Sequence, residues 1–374
     1  MKSISNHQKP AVSDSPVSAR LSEQELNAAK NARYQAGASN NWGRYLWPVC
    51  ALIILLVVNL VLDPSFFSLS YQDGRVYGSL IDVLNRCAPV ALLAIGMSVV
   101  IATGGIDLSV GAVMAISGAV CANLLLTPDV ALITVLFVGI LVGIIAGLVN
   151  GSLVSYLGIQ PIVATLLLMV AGRGIAQLIN QGQIVTFQSD SFAFIGVGNW
   201  LGLPMPIWIV VGMLVVTQLL LRKTALGLFI ESVGCNASAS RYLGINDKAV
   251  KLFAYIIAGV CAALAGMISA ANIQGADANN AGLWLELDAI LAVVIGGASL
   301  VGGRFSLLLS VLGALIIQTL ATTIIVSGLP AKFNLLIKAL VILMVLLLQS
   351  EKFRKQLNGL FSTKTSNNKF GEAQ

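Results

Sequence analysis

Ten apolar stretches, each close to the length of a bilayer crossing, decide what this 374-residue chain can become. They fall at roughly 46–63, 83–102, 109–126, 130–150, 161–181, 204–221, 250–272, 286–301, 304–326 and 331–349. A helix of about 20 largely apolar residues spans a bilayer. Runs rich in Leu, Ile, Val, Ala and Gly suit closely packed membrane helices, where small residues let backbones approach. Only 10% of the residues are charged and 57% are hydrophobic, whereas soluble domains carry about 25% charge. The expected fold is all-α: a polytopic integral membrane protein with about ten transmembrane helices.

Charge then orients the chain. Lys2, Lys9, Arg20, Lys30, Arg33 and Arg44 precede the first stretch, and Lys352, Arg354, Lys355, Lys364 and Lys369 follow the last. Arg222, Lys223, Arg241, Lys248 and Lys251 fill a central loop, and Arg304 a short turn, while Arg75, Arg86 and Lys332 are left for the other side. Because Lys and Arg collect on the cytoplasmic face, both termini are expected inside. Residues 1–45 read as a disordered cytoplasmic tail, 46–350 as the transmembrane domain and 351–374 as a basic cytoplasmic tail. The net charge of +6 is spread over loops and tails, so no nucleic-acid partner is expected. Five scattered cysteines form no CxxC pair, and the one histidine, His7, lies in the polar tail. Neither a zinc site nor histidine catalysis is indicated.

The central loop, residues 222–251, is the longest polar interval between apolar halves. Leu226 to Ile230 continue a helix, and Gly234 is expected to close it in the left-handed conformation. Asn236 suits the N-cap of a second helix over Ala237 to Leu243, with Gly244 as its stop. A helix of roughly seven residues is not stable alone. It either folds back on its own chain or docks into a separate cytoplasmic protein.

Two glycine-rich octets, Gly104 to Gly111 and Gly296 to Gly303, share Gly, Gly, Leu and Gly at positions one, two, five and eight. Gly104, Gly105, Gly111, Gly296, Gly297, Gly302 and Gly303 either break helices along a transport path in two pseudo-related halves, or serve helix packing. Arg173, Gln177 and Asn180 share one helical face. They line a hydrophilic path for a neutral, hydroxyl-rich solute, or Arg173 is a structural pin satisfied by carbonyls or by a carboxylate such as Asp107. Gln318 and Thr322 form a similar pair. The long outer segments Gln183 to Leu203 and Ile273 to Leu287 either cap the bundle or receive an external partner. No G-x-x-x-x-G-K-[ST] phosphate loop occurs, so ATP hydrolysis by this chain is not expected. No carboxylate lies near the middle of a span, which disfavours proton coupling.

Three blocks carry a family resemblance. Val100-Ile-Ala-Thr-Gly-Gly-Ile-Asp-Leu-Ser-Val-Gly111 resembles the signature of the membrane subunits of ribose-type sugar ABC importers. The central loop, Gly227 … Glu231-Ser-Val-Gly234-Cys-Asn236 … Gly244-Ile245, resembles the family's cytoplasmic coupling segment. The third block runs from Glu286-Leu-Asp288 to Gly302-Gly303. Together they cover roughly residues 46 to 350. Gln72-Asp-Gly-Arg75, Ile81-Asp-Val-Leu-Asn-Arg86 and Gly275 to Trp284 are similar to the family's galactofuranose-carrying subgroup; neighbouring subgroups carry ribose, xylose, arabinose or autoinducer-type sugars.

The resemblance implies a permease in a bacterial inner membrane that imports sugar without catalysing a reaction. Its implied partners are a cytoplasmic ATP-binding subunit, a second permease chain (copy or paralogue), a periplasmic sugar-binding protein and the lipid bilayer. No cofactor is expected on this chain; ATP and Mg would sit on the partner ATPase. Gly227, Glu231, Gly234, Asn236, Arg241 and Gly244 become the coupling residues. Arg173, Gln177, Asn180, Asp107, Ser109 and Gln318 are the candidate pathway residues. The competing class is a stand-alone secondary carrier or facilitator.

Overall fold

In the computed structural model, residues 42–72, 74–328, 330, 333 and 336–340 are described, the first four by backbone alone. The expected amino-terminal tail, except for these first helical residues, most of the tenth apolar stretch and the basic carboxy-terminal tail lie outside the described residues. Residues up to Trp47 form one unit and residues from Pro48 onward a second, which holds the helical bundle.

Helix α1 (Trp42–Leu62) leads through a 3-10 turn, Pro64–Phe67, into a small hairpin of β1 (Ser70–Gln72) and β2 (Arg75–Tyr77). Then come α2 (Ser79–Ala102), α3 (Val110–Leu125), α4 (Leu132–Ser155) and α5 (Pro161–Ile179). An outer excursion holds β3 (Val185–Thr186), α6 (Asp190–Val197), β4 (Asn199–Trp200) and β5 (Leu203–Pro204). Helix α7 (Met205–Lys223) returns to the polar loop, which folds as α8 (Leu226–Cys235) and α9 (Ala237–Tyr242). The rest is α10 (Asp247–Ile273), β6 (Gly275–Ala276), α11 (Leu285–Ile295) and α12 (Leu307–Val326).

Among the described residues six helices are long and apolar enough to cross a membrane: α2, α4, α5, α7, α10 and α12. The eighth apolar stretch departs from expectation. Its helix, α11, has 11 residues, about 16 Å of rise, and stops at Ile295 because Gly297 turns left-handed with φ +81°. Helix α3 is also short, at 16 residues.

Helix α2 is buried along most of its length, with Leu92, Leu93, Ile95, Met97 and Ile101 fully enclosed. It lies against α10, α11, α12 and α7. Helix α10 also packs along α4, where Gly143 and Gly259 approach so closely that a Cβ on either would strike the other's carbonyl. Such contact replaces the hydrophobic drive that lipid cannot supply. By contrast, α4, α5 and α7 turn broad apolar faces outward, including Phe137, Leu167, Val170, Val215 and Val216. At one end β3 pairs antiparallel with β6, and Gly196 of α6 fits against the Ala271–Asn272 backbone. The two long outer segments therefore interlock.

Candidate functional site

The three family-like blocks meet at the carboxy-terminal end of α2. Gly303 N–H donates to the Ala102 carbonyl at 2.9 Å. A Cβ on Gly234 would strike that same carbonyl and lie 2.6 Å from Gly303 N. A Cβ on Gly302 would lie 2.8 Å from Gly234 O and 3.0 Å from Gly104 N. Both octets and the loop helix α8 thus touch through bare backbone. Gly234 is not left-handed as expected: it is helical within α8, and it is glycine because three chain segments crowd one point.

The octets share a conformation, but one residue out of register. After α2, Gly104 has φ +82°, its N–H reaches Ile101 O and the next N–H reaches Val100 O. After α11 that pattern belongs to Gly297 and Ala298, bonded to Val294 O and Val293 O. Gly104 therefore matches Gly297, not Gly296; this is the Schellman ending. Gly296 instead presses on the Leu309–Ser310 backbone of α12, and Gly105 faces the Tyr255 hydroxyl.

From Gly104 the chain runs non-helically to Ser109 before α3 begins. Asp107 and Ser109 are buried there. The Ser109 N–H and hydroxyl donate to Asp107 Oδ1 at 2.9 and 2.6 Å. Asn150 Nδ2 donates to Ser109 Oγ at 2.7 Å. This closed network holds the first turn of α3, and Arg173 is not part of it. Gly111, in that same first turn, abuts Gly282 O and the Glu286 carboxylate. Glu286 is 5% exposed, and its Oε2 has no hydrogen-bond partner among the described residues.

The polar stripe of α5 holds the segment between α10 and α11. Asn180 Nδ2 donates to Ala276 O at 2.9 Å, and Gln177 Nε2 to Asn279 Oδ1 at 2.8 Å. Arg173 donates to the Ala278 and Ala281 carbonyls. Residues 276–281 therefore descend along α5 by about 10 Å. Asp277 folds the bend: the Asn280 side chain and the Asn279 and Asn280 N–H groups hold its carboxyl below the usual carboxylate range. Gln318 lies apart, half-buried on α12, its carbonyl accepting from Thr322.

In the loop, Gly227 sits against the Leu221 carbonyl at the α7–α8 corner. Glu231 and Arg222 line a cavity of about 280 Å³ with Phe305 and Leu307. Asn236 caps α9, its Oδ1 accepting from Ala239 N–H at 3.0 Å, and Gly244 ends the turn at φ +83°. Arg241 Nε and Nη2 grip the two Asp247 oxygens at 2.7 and 3.0 Å, tying α9 to α10. Tyr242 and Leu243, which the motifs do not single out, are 93% and 81% exposed. They are the two large apolar residues of an otherwise small and polar stretch, and that contrast was the available signal. Lys338, on the chain after α12, pairs with α11: its Nζ lies 2.7 Å from Asp288 Oδ2, and both side chains are 14% exposed.

Residues 79–346 match the family model described as the permease component of a branched-chain amino acid transport system. The chain belongs to this permease family. Among its relatives is the galactofuranose transporter permease protein YtfT of Escherichia coli (strain K12), 56% identical over 85% of this chain and 95% of that protein. The fructose import permease protein FruF of Bifidobacterium longum is 39% identical over 82% and 87% of the two chains. The ribose import permease protein RbsC of Escherichia coli (strain K12) is 35% identical over 81% and 92%. No solved structure matches the chain. The permease is a multi-pass membrane protein of an ABC importer and not its catalytic subunit; the helices, glycine junction and latched segment above are parts of that permease.

Proposed function

We propose that this permease carries a sugar, galactofuranose, inward across a bacterial inner membrane. The galactofuranose transporter permease relative, at 56% identity over nearly its full length, supports the cargo. About ten spans with both termini cytoplasmic, arranged as two pseudo-related halves, accord with the charge distribution and with the repeated helix endings at Gly104 and Gly297. With α1 entering from inside and each span reversing direction, α8 and α9 would lie in the cytoplasm, where the basic residues of the loop favour them.

The observation that carries the mechanism is the backbone junction at Gly234. A cytoplasmic ATP-binding subunit, holding ATP and Mg, would grip α9 around Tyr242 and Leu243, the kind of exposed aromatic and aliphatic anchor that fills a partner pocket. The Arg241–Asp247 pair would transmit its movement to α10. Through Gly234 it would reach Ala102 and Gly303, the inner ends of both broken regions, and rock the two halves. A periplasmic sugar-binding protein would deliver to the interlocked outer segments, and a second permease chain would complete the path beside the Arg173, Gln177 and Asn180 latch. Asp107 and Ser109, buried against Asn150, would support the start of α3 from within the bundle.

Uptake of galactofuranose into liposomes tests this reading. It requires the ATP-binding subunit, ATP and the binding protein together; flux through the chain alone refutes it. Cys235 is exposed, so in a Cys50→Ser background an impermeant maleimide should label it only after the cell interior is opened.

A further inference from the structure

Trp284 stands in the left-handed region, φ +67° and ψ −1°, immediately before α11. A bulky residue there costs of order 1–3 kcal/mol and persists only where its surroundings over-determine it. They do so here: Arg173 fixes Ala278 and Ala281, and Gly282, at φ +70°, is wedged against Gly111. Glycine would hold the same turn without strain, so the fold alone gives no reason for an indole. Nor is the ring needed in the core, since Trp284 is 54% exposed.

The chain leading into this turn is polar where it crosses the end of α5. Arg173, which anchors this turn, lies about 9 Å along α5 from Ile179. Gln177 and Asn279 are both exposed and bonded to each other through Gln177 Nε2 and Asn279 Oδ1. That leaves Gln177 Oε1 as an acceptor and Asn279 Nδ2 as a donor, each without a partner among the described residues. A hydroxyl needs one of each. An aromatic face takes up the C–H side of a sugar ring as it does other apolar surface.

We propose that Trp284 is a stacking platform for a monosaccharide at the outer mouth of the path, with Gln177 and Asn279 bonding its hydroxyls. This rests on the sugar-importer reading above. The platform determines what passes; Arg173 only positions it.

The test uses the complete importer in liposomes, with labelled galactofuranose and then ribose as probes. Trp284→Phe keeps a flat ring and should retain uptake to within about twofold, while Trp284→Gly should lose tenfold or more, equivalent to at least about 1.4 kcal/mol in the barrier. The glycine variant should also melt no lower than wild type, since it relieves the φ +67° strain. Loss of transport with stability kept is a result that a merely structural tryptophan cannot give. Gln177→Leu should lower uptake of both sugars. Wild-type uptake by Trp284→Gly overturns the platform alone, as does quenching of Trp284 by brominated lipid rather than aqueous acrylamide, which marks a bilayer anchor. A wild-type importer that carries neither sugar overturns the sugar reading, and the platform with it.

Discussion

Replacing Gly234 by alanine adds one methyl group where the structure has least room for it. Its Cβ would lie 2.6 Å from Gly303 N and closer still to the Ala102 carbonyl. Neither neighbour is a flexible side-chain tip; both are backbone, joined to each other by a 2.9 Å hydrogen bond. Reaching ordinary contact at 3.4 Å or beyond requires α8 to withdraw by more than about 1.5 Å, or the α2 end and second octet to part. Overpacking of this kind costs about 1–3 kcal/mol. If that energy falls on the contact linking the loop to the pathway, coupling drops by roughly 5–150-fold. The assay is sugar transported per ATP hydrolysed in reconstituted importer, with permease content measured in the same vesicles. Gly212→Ala is the matched control, because nothing lies within 4 Å of its added Cβ. ATP hydrolysis should continue while uptake falls. A Gly234→Ala importer with wild-type stoichiometry would refute the transmission route.

Other outcomes depend on single contacts. Arg173→Leu releases the Ala278 and Ala281 carbonyls, and because a charged hydrogen bond is worth about 1.5–3 kcal/mol, amide exchange over residues 274–284 should quicken at least tenfold; unchanged exchange would show that the latch is redundant. Lys338→Met or Asp288→Leu leaves a half-buried charge unpaired and should each destabilise by about 1.5–3 kcal/mol in thermal unfolding, whereas the double variant should recover most of the loss. Asn236→Ala removes the α9 cap at about 1 kcal/mol and should weaken capture of the ATP-binding subunit several-fold, while Asn236→Asp should not. Tyr242→Ala should abolish that capture while leaving the chain in the membrane; retained capture would place the docking elsewhere.

Hydropathy made six long helices legible, because an apolar run of bilayer length has few alternatives in lipid. It misjudged residues 286–301, since a window average cannot see that Gly297 turns left-handed and cuts the run at Ile295. Asn236 and Gly244 were readable because caps are local chemistry. Gly234 was misread for the opposite reason: what requires glycine there is Ala102, distant in sequence and adjacent only after folding. Letter-matching paired Gly104 with Gly296, whereas the hydrogen bonds pair it with Gly297. The Arg173, Gln177 and Asn180 face was visible from spacing, but not the carbonyls it binds, because residues 276–281 reach α5 only by tertiary descent.

The Lys338–Asp288 pair also bears on how the protein is made. Helix α11 is 11 residues long and carries Glu286 and Asp288, too short and too acidic to enter lipid unaided. Its neutralising ammonium is 50 residues further along. At synthesis rates of about 5–20 residues per second, several seconds elapse before that ammonium emerges. During that interval α11 must wait beside the insertion machinery or against α2, so α11, α12 and the segment carrying Lys338 integrate as a group rather than helix by helix.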